Sequence, residues 1–175
     1  MGLGAKRVIT PEGADTVGAM SDEDAGDRRG RLYFDDLTLG QRFVTGSETM
    51  TAEAIKAFAA QFDPQPFHLD ERAARASLFG GLVASGWHTA ALTMRLLVAG
   101  GLPLAQGAIG LGVTIEWRTA VRPGDCLHVQ GEVIELIPSR SRPTRGRVVT
   151  RNETLTDRGT VVQVAVTTML VPRRH

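Results

Sequence analysis

An aspartate and a histidine lie close together in a short proline-rich segment, and these two residue types suit acid–base chemistry on water. The segment runs from Asp63 to His68 and reads DPQPFH. Each proline fixes its own φ, which removes backbone freedom and lets both flanking side chains be aimed at one point. A carboxylate and an imidazole that share a water molecule can take a proton from it and return one to a neighbouring carbon. The same spacing also fits structural roles, in which Asp63 turns the chain and His68 bonds a backbone carbonyl.

Two helices are predicted on either side of this segment. Thr51 can cap the first helix, and Pro64 ends it because the residue before a proline is pushed out of the α region. Asp70 can cap a second, short helix through Ala76, closed by Gly80-Gly81. Between the helices we expect an irregular, stiff segment. The first helix carries an apolar stripe of helical period: Ile55, Phe58, Ala59 and Phe62.

A longer helix is predicted from Ser85 or Gly86 to about Ala99, and it is apolar nearly all round apart from Arg95. Such a helix is buried. Strands rich in Val, Ile and Thr are predicted at 42–49, 109–119, 126–136, 147–156 and 161–171. No alternation of strand and helix follows residue 101, which disfavours a doubly wound parallel sheet. The predicted fold class is therefore α+β, with an antiparallel sheet around one long buried helix.

Length and composition exclude several classes of protein. The chain has 175 residues and a net charge of +1. This length suits one domain, which is predicted at 32–172. The extension before it, 1–31, is predicted to be poorly ordered, and Met20 within it is a second candidate start. The low charge and the 5% aromatic content disfavour nucleic-acid binding. No apolar run reaches the length of a membrane span. Since Cys126 is the one cysteine, neither an internal disulfide nor a multi-cysteine zinc site is possible. We expect a soluble, cytoplasmic protein.

The order of these features resembles the MaoC-like (R)-specific enoyl-CoA hydratases and dehydratases. That family's signature is a helix ending in Asp-x-Asn-Pro-x-His, then a short helix, then a glycine-containing stretch entering a buried helix. Here the matching segments are FDPQPFHLD at 62–70 and FGGLVASG at 79–86. Gln65 stands where the family usually has Asn, and Ser85 where many members have His. The resemblance spans about 33–171 and implies a single hotdog fold, in which the sheet wraps around the central helix.

The resemblance also implies a site and a reaction. Asp63 and His68 would be the catalytic pair, Gln65 and Ser85 would support the loop, and the backbone N–H of Gly86 would bind the thioester oxygen. A free N–H at a helix N-terminus suits that role, because it can stabilise a developing enolate. The implied reaction is reversible hydration of trans-2-enoyl-CoA to (3R)-3-hydroxyacyl-CoA. Coenzyme A would enter as part of the substrate, no metal or redox cofactor would be needed, and the protein would be a homodimer or a higher homo-oligomer.

Three further possibilities remain open from the sequence. Arg140, Arg142 and Arg145 cluster in a predicted hairpin and suit the phosphates of coenzyme A, although a solvated loop is the other interpretation. An acyl-CoA thioesterase of the same fold would usually carry a carboxylate on or beside the central helix, and 87–98 contains no Asp or Glu. A non-catalytic acyl-CoA-binding subunit is the other alternative.

Overall fold

The fold consists of one antiparallel sheet and a set of helices placed before its second strand. The structure is a computed structural model and describes residues 30–174. A single 3-10 turn, Phe34–Asp36, precedes the sheet. The elements in chain order are β1 (Arg42–Thr49), α1 (Ala52–Phe62), α2 (Pro66–Leu69), α3 (Glu71–Ala76), α4 (Gly86–Gly100), β2 (Ile109–Trp117), β3 (Cys126–Pro138), β4 (Arg145–Thr156) and β5 (Val161–Pro172).

The sheet has the order β1-β3-β4-β5-β2, and every neighbouring pair is antiparallel. The helix α4 packs against one face of this sheet. Its residues Leu92 and Leu96 share a buried cluster with Leu127 and Val129 of β3 and with Ile55 of α1. The predicted fold class is confirmed, because a long helix lies against an antiparallel sheet in the hotdog arrangement.

The capping predictions around α1 and α3 are confirmed. The Thr51 hydroxyl accepts a hydrogen bond from the N–H of Ala54 at 3.1 Å, and Asp70 accepts one from the N–H of Ala73 at 2.7 Å. The segment between these helices is more regular than predicted. Pro66 begins the one-turn helix α2, because a proline at the first helical position loses no hydrogen bond and already has a helical φ.

The prediction that α4 is buried on nearly all sides is wrong for the single chain. Only one face of the helix meets the sheet, and Trp87 and Val98 on the opposite face are 60% and 73% exposed. The edge strand β2 is also open, with Leu111 and Val113 more than half exposed. An apolar helix face and an apolar sheet edge therefore remain uncovered.

The predicted extension, 1–31, and the alternative start at Met20 fall outside the described residues except for Gly30 and Arg31. Among the residues described, no helix has both the length and the apolar character that crossing a bilayer requires.

A close approach between β1 and β3 gives a test of the sheet. The ring of Phe43 lies directly over Gly131, where an added Cβ would overlap the ring. We expect Gly131→Ala to lower the free energy of unfolding by about 1–3 kcal/mol through overpacking. Urea unfolding measures the change. Gly46→Ala in β1 is the matched control, because an added Cβ there meets nothing within 4 Å. Equal midpoints for the two variants would contradict the packing.

Candidate active site

The proline-rich segment directs two functional side chains toward the start of α4. Asp63 follows the last residue of α1, and its N–H still bonds the Ala59 carbonyl at 3.0 Å. Pro66 then starts α2, which places His68 on the next turn. The Val83 N–H donates to the Phe67 carbonyl at 3.4 Å, so the chain leading into α4 lies directly beside this turn.

The structure brings Asp63 and His68 together. Nε2 of His68 lies 3.4 Å from Oδ2 of Asp63. The other ring nitrogen, Nδ1, lies 2.7 Å from the carbonyl oxygen of Val83. A carbonyl can only accept, so Nδ1 carries a proton, and in the neutral imidazole Nε2 is the unprotonated nitrogen that faces the carboxylate. The His68 side chain is 6% exposed and that of Asp63 is 19% exposed, so solvent reaches the pair from the carboxylate side.

Two neighbouring side chains hold the Asp63 carboxylate, and both are residues that the sequence predicts as loop support. The Ser85 hydroxyl donates to Oδ2 at 2.6 Å, and the Gln65 amide donates to Oδ1 at 2.9 Å. The Ser85 hydrogen bond lowers the pKa of Asp63 against the effect of burial, and the Gln65 bond and the positive charge that His68 carries when protonated act in the same direction. Asp63 is therefore ionised at neutral pH.

Gly86 opens α4 directly after Ser85. The Ser85 hydroxyl caps the helix by accepting from the N–H of Trp87 at 3.2 Å. The Gly86 N–H has no hydrogen-bond partner within residues 30–174, as expected for the first amide of a helix. The Asp63 carboxylate therefore bonds Ser85, the residue that directly precedes the open amide of Gly86.

An aromatic wall stands beside Gly86 and was not predicted from the sequence. An added Cβ on Gly86 would lie 2.6 Å from Cε2 of Trp117, so only glycine fits under the indole. The ring of Trp87 meets Trp117 edge-on, with 5.4 Å between centroids. The indole of Trp117 therefore packs directly against the first residue of α4.

A buried polar network anchors this wall. The Trp117 indole N–H donates to Gln163 at 2.9 Å, and the Gln163 amide donates to the Thr93 hydroxyl at 3.1 Å. Thr93 donates in turn to the Thr89 carbonyl at 2.8 Å, and its oxygen lies 2.7 Å from the hydroxyl of Thr154. These hydrogen bonds connect the indole to buried polar groups of α4, β4 and β5, so the network fixes the position of the indole. No local spacing could reveal it, because its members lie on α4 and three different strands.

The predicted arginine cluster lies elsewhere in the chain. The hairpin between β3 and β4 contains Arg140 and Arg142, and Arg145 is the first residue of β4. Thr154 lies roughly 30 Å from Arg145 along β4, at about 3.3 Å per residue. The hairpin is thus at the opposite end of the sheet from Trp117, and the structure does not bring these arginines to the pair within one chain. Arg75 and Arg122 instead line a surface depression of about 400 Å³ beside the segment that leads into α4.

The arrangement can hold and polarise a water molecule. Nε2 of neutral His68 and the Asp63 carboxylate both accept hydrogen bonds, and the two O–H groups of one water can satisfy both. The neighbouring N–H of Gly86 offers a donor to an oxygen on which negative charge develops.

Comparisons with known proteins show which family this chain resembles. A family model described as MaoC like domain matches residues 36–157. A 3-hydroxybutyryl-CoA dehydratase from Methylorubrum extorquens is 36% identical over 111 residues, which cover 63% of this chain and 69% of that protein. An (R)-specific enoyl-CoA hydratase from Rhodospirillum rubrum is 29% identical over 148 residues, covering 81% and 93% of the two chains.

Solved structures show the same likeness. The crystal structure of a MaoC-like dehydratase from Rhodospirillum rubrum is 57% identical, with a TM-score of 0.80, and covers 82% of this chain and 99% of that one. An (R)-hydratase from A. caviae involved in PHA biosynthesis is 28% identical, with a TM-score of 0.62 and coverage of 78% and 98%.

Removing the Ser85 hydroxyl tests the electrostatics of the pair. We expect Ser85→Ala to raise the pKa of Asp63 toward its ordinary value, read from the pH titration of its carboxyl carbon by NMR. The lowered pKa of Asp63 stabilises the wild-type fold at neutral pH, and this stability is lost as the pH falls through that pKa. The difference in unfolding free energy between wild type and Ser85→Ala should therefore shrink in acid. Ser77→Ala is the control, since the Ser77 hydroxyl donates to the Ala74 carbonyl and accepts from the N–H of Phe79. An unchanged pKa in Ser85→Ala would contradict the assignment.

Proposed function

This chain belongs to the MaoC-like domain family, and we propose that it is a hydro-lyase that reversibly hydrates a trans-2-enoyl-CoA to a (3R)-3-hydroxyacyl-CoA. One observation carries the proposal: Nε2 of His68 faces the ionised Asp63, and Asp63 bonds Ser85, the residue before the open N–H of Gly86. Water addition to an unsaturated thioester needs a base for water, an acid for the α-carbon and a donor for the carbonyl oxygen. These groups supply all three.

Asp63 and His68 divide the work on water. The lowered pKa of Asp63 makes its carboxylate a weak base, so it orients the water and stabilises positive charge on the imidazole. Nε2 of His68 accepts the proton as the water oxygen adds to C3 of the acyl chain. The same proton is then returned to C2, which balances the reaction as net addition of water. Because one pair serves both atoms, oxygen and hydrogen arrive on one face of the double bond.

Gly86 stabilises the intermediate charge. When oxygen adds to C3, the electrons of the double bond move toward the thioester, and the carbonyl oxygen becomes an enolate. The N–H of Gly86 donates to that oxygen at the positive end of the α4 dipole. We expect no metal or redox cofactor to be required, because the thioester itself acidifies the α-carbon and coenzyme A enters as part of the substrate.

Replacing the carboxylate tests the proposal. We expect Asp63→Asn to keep the fold and to lower kcat for crotonyl-CoA hydration by about 100-fold or more, since the amide cannot stabilise the imidazolium. Loss of the enoyl absorbance measures the rate, and circular dichroism checks the fold. Asp157→Asn, in an exposed turn between β4 and β5, is the matched control.

Wild-type rates in Asp63→Asn would overturn this assignment. Release of free thiol without loss of the enoyl group would favour the thioesterase alternative. Binding of enoyl-CoA with no turnover across chain lengths would favour a non-catalytic subunit.

We also propose that two copies associate through the uncovered apolar surfaces. The edge strand β2 exposes Leu111 and Val113, and the outer face of α4 exposes Trp87, Met94 and Val98. Pairing β2 with its counterpart would satisfy its edge hydrogen bonds and cover these side chains in a homodimer. The acyl chain would then lie near the interface. A free thiol at Cys126 fits the reducing cytoplasm, where we propose the enzyme acts.

A charge at the β2 edge tests the dimer. We expect Val113→Lys to convert the homodimer to a monomer in sedimentation velocity, because two buried lysines would face each other across the strand pair. Val44→Lys on the opposite edge strand is the control, since Val44 is also exposed, at 62%, and should leave the dimer intact. A monomeric wild type, or a dimeric Val113→Lys, would contradict this interface.

A further inference from the structure

A second cavity lies along α4, beyond the catalytic pair. It has a volume of about 510 Å³ and sits between the C-terminal half of the helix and the sheet. Its apolar lining includes Met94, Leu97 and Val98 of α4, together with Phe43 of β1 and Met169 of β5. Met94 is eight residues after Gly86, so an acyl chain that follows the helix from the thioester reaches the cavity after about 12 Å.

The sheet side of this cavity is polar. Thr150, Asn152 and Thr167 line it at neighbouring positions of β4 and β5. Asn152 is 2% exposed, and its amide nitrogen donates to the Thr150 hydroxyl at 3.0 Å. Its carbonyl oxygen, Oδ1, is buried and has no partner within the described part of the chain.

An unpartnered amide oxygen in such a place points to a ligand group. Buried polar groups are nearly always hydrogen-bonded, because leaving one unsatisfied destabilises the protein. A plain alkyl chain would fill the cavity and leave this oxygen without a donor. A site with a buried unpaired acceptor therefore discriminates against an occupant that lacks a donor.

We propose that the cavity receives the far end of the acyl chain and that the preferred chain carries a hydroxyl group there, an inference that rests on the proposed hydratase activity. A hydroxyl donates to Oδ1 of Asn152 and can accept from the hydroxyl of Thr150 or Thr167. It also satisfies the reverse orientation of the Asn152 amide, in which the nitrogen faces the cavity, because a hydroxyl is both donor and acceptor. A carboxylate has no proton to donate to Oδ1.

The test compares chains of equal length. Along its extended zigzag, the acyl chain of trans-2-decenoyl-CoA spans about 11 Å from its thioester carbon to its last carbon, and a hydroxyl oxygen at that end lies about 12 Å away, where the cavity begins. The probes are this substrate, its ω-hydroxy form, its ω-carboxy form, and trans-2-hexenoyl-CoA, which is too short to reach the cavity. We expect kcat/KM for the ω-hydroxy chain to exceed that for the plain chain by about 10-fold or more.

Variants locate the preference. Asn152→Leu should abolish the advantage of the hydroxyl and leave hexenoyl-CoA hydration unchanged. Thr167→Val is a smaller change on the polar side of the same cavity, and it should reduce the preference for the ω-hydroxy chain. This variant keeps the test available if Asn152→Leu fails to fold. Gln130→Leu replaces an exposed amide of β3 and is the matched control, which should retain the full preference.

The outcomes separate the two proposals. If hexenoyl-CoA is not hydrated, the proposed function fails. If it is hydrated but the plain or the ω-carboxy chain of ten carbons is preferred, only this inference fails. A hydroxyl preference that survives Asn152→Leu also overturns it, because the selectivity would then arise elsewhere. Arg31 is a cationic residue that lines the same cavity, so the comparison between the ω-hydroxy and ω-carboxy chains is the strictest of these tests.

Discussion

The hydrogen bond from Ser85 to Asp63 is the contact on which the site depends. It joins the end of α1 to the start of α4, two points 22 residues apart in the chain. The same hydroxyl caps α4, so one side chain sets both the position of the carboxylate and the place where free helix amides begin. The bond also keeps Asp63 ionised by lowering its pKa. The bond thereby fixes the position of the carboxylate relative to the first amides of α4.

The rest of the fold supports this contact from two sides. The carbonyl of Val83 holds His68 in the tautomer that leaves Nε2 open. The indole of Trp117, tied through Gln163 to Thr93, closes the other side of the helix start. Val83, Gln163 and Thr93 are buried, so they hold the imidazole and the indole in place, as preorganised sites require.

Local chemistry made much of this predictable. Thr51 and Pro64 mark the ends of α1 because capping and proline sterics act within a few residues, and the proline-rich spacing singled out Asp63 and His68. The Trp117 network and the open Asn152 amide were not predictable, because they depend on strand register between residues far apart in sequence. The exposed face of α4 was missed for a related reason: composition shows that a helix is apolar, but not which surface covers it. The arginine hairpin lies away from the pair because antiparallel strands send their turn to the opposite end of the sheet.

The central claim is that one carboxylate–imidazole pair delivers both parts of water to one face of an enoyl thioester. The most direct measurement is product analysis after hydration of crotonyl-CoA in D₂O. Addition by this one pair should give (3R)-3-hydroxybutyryl-CoA with one deuterium at C2, on the same face as the oxygen. A (3S) product, or deuterium on the opposite face, would contradict it.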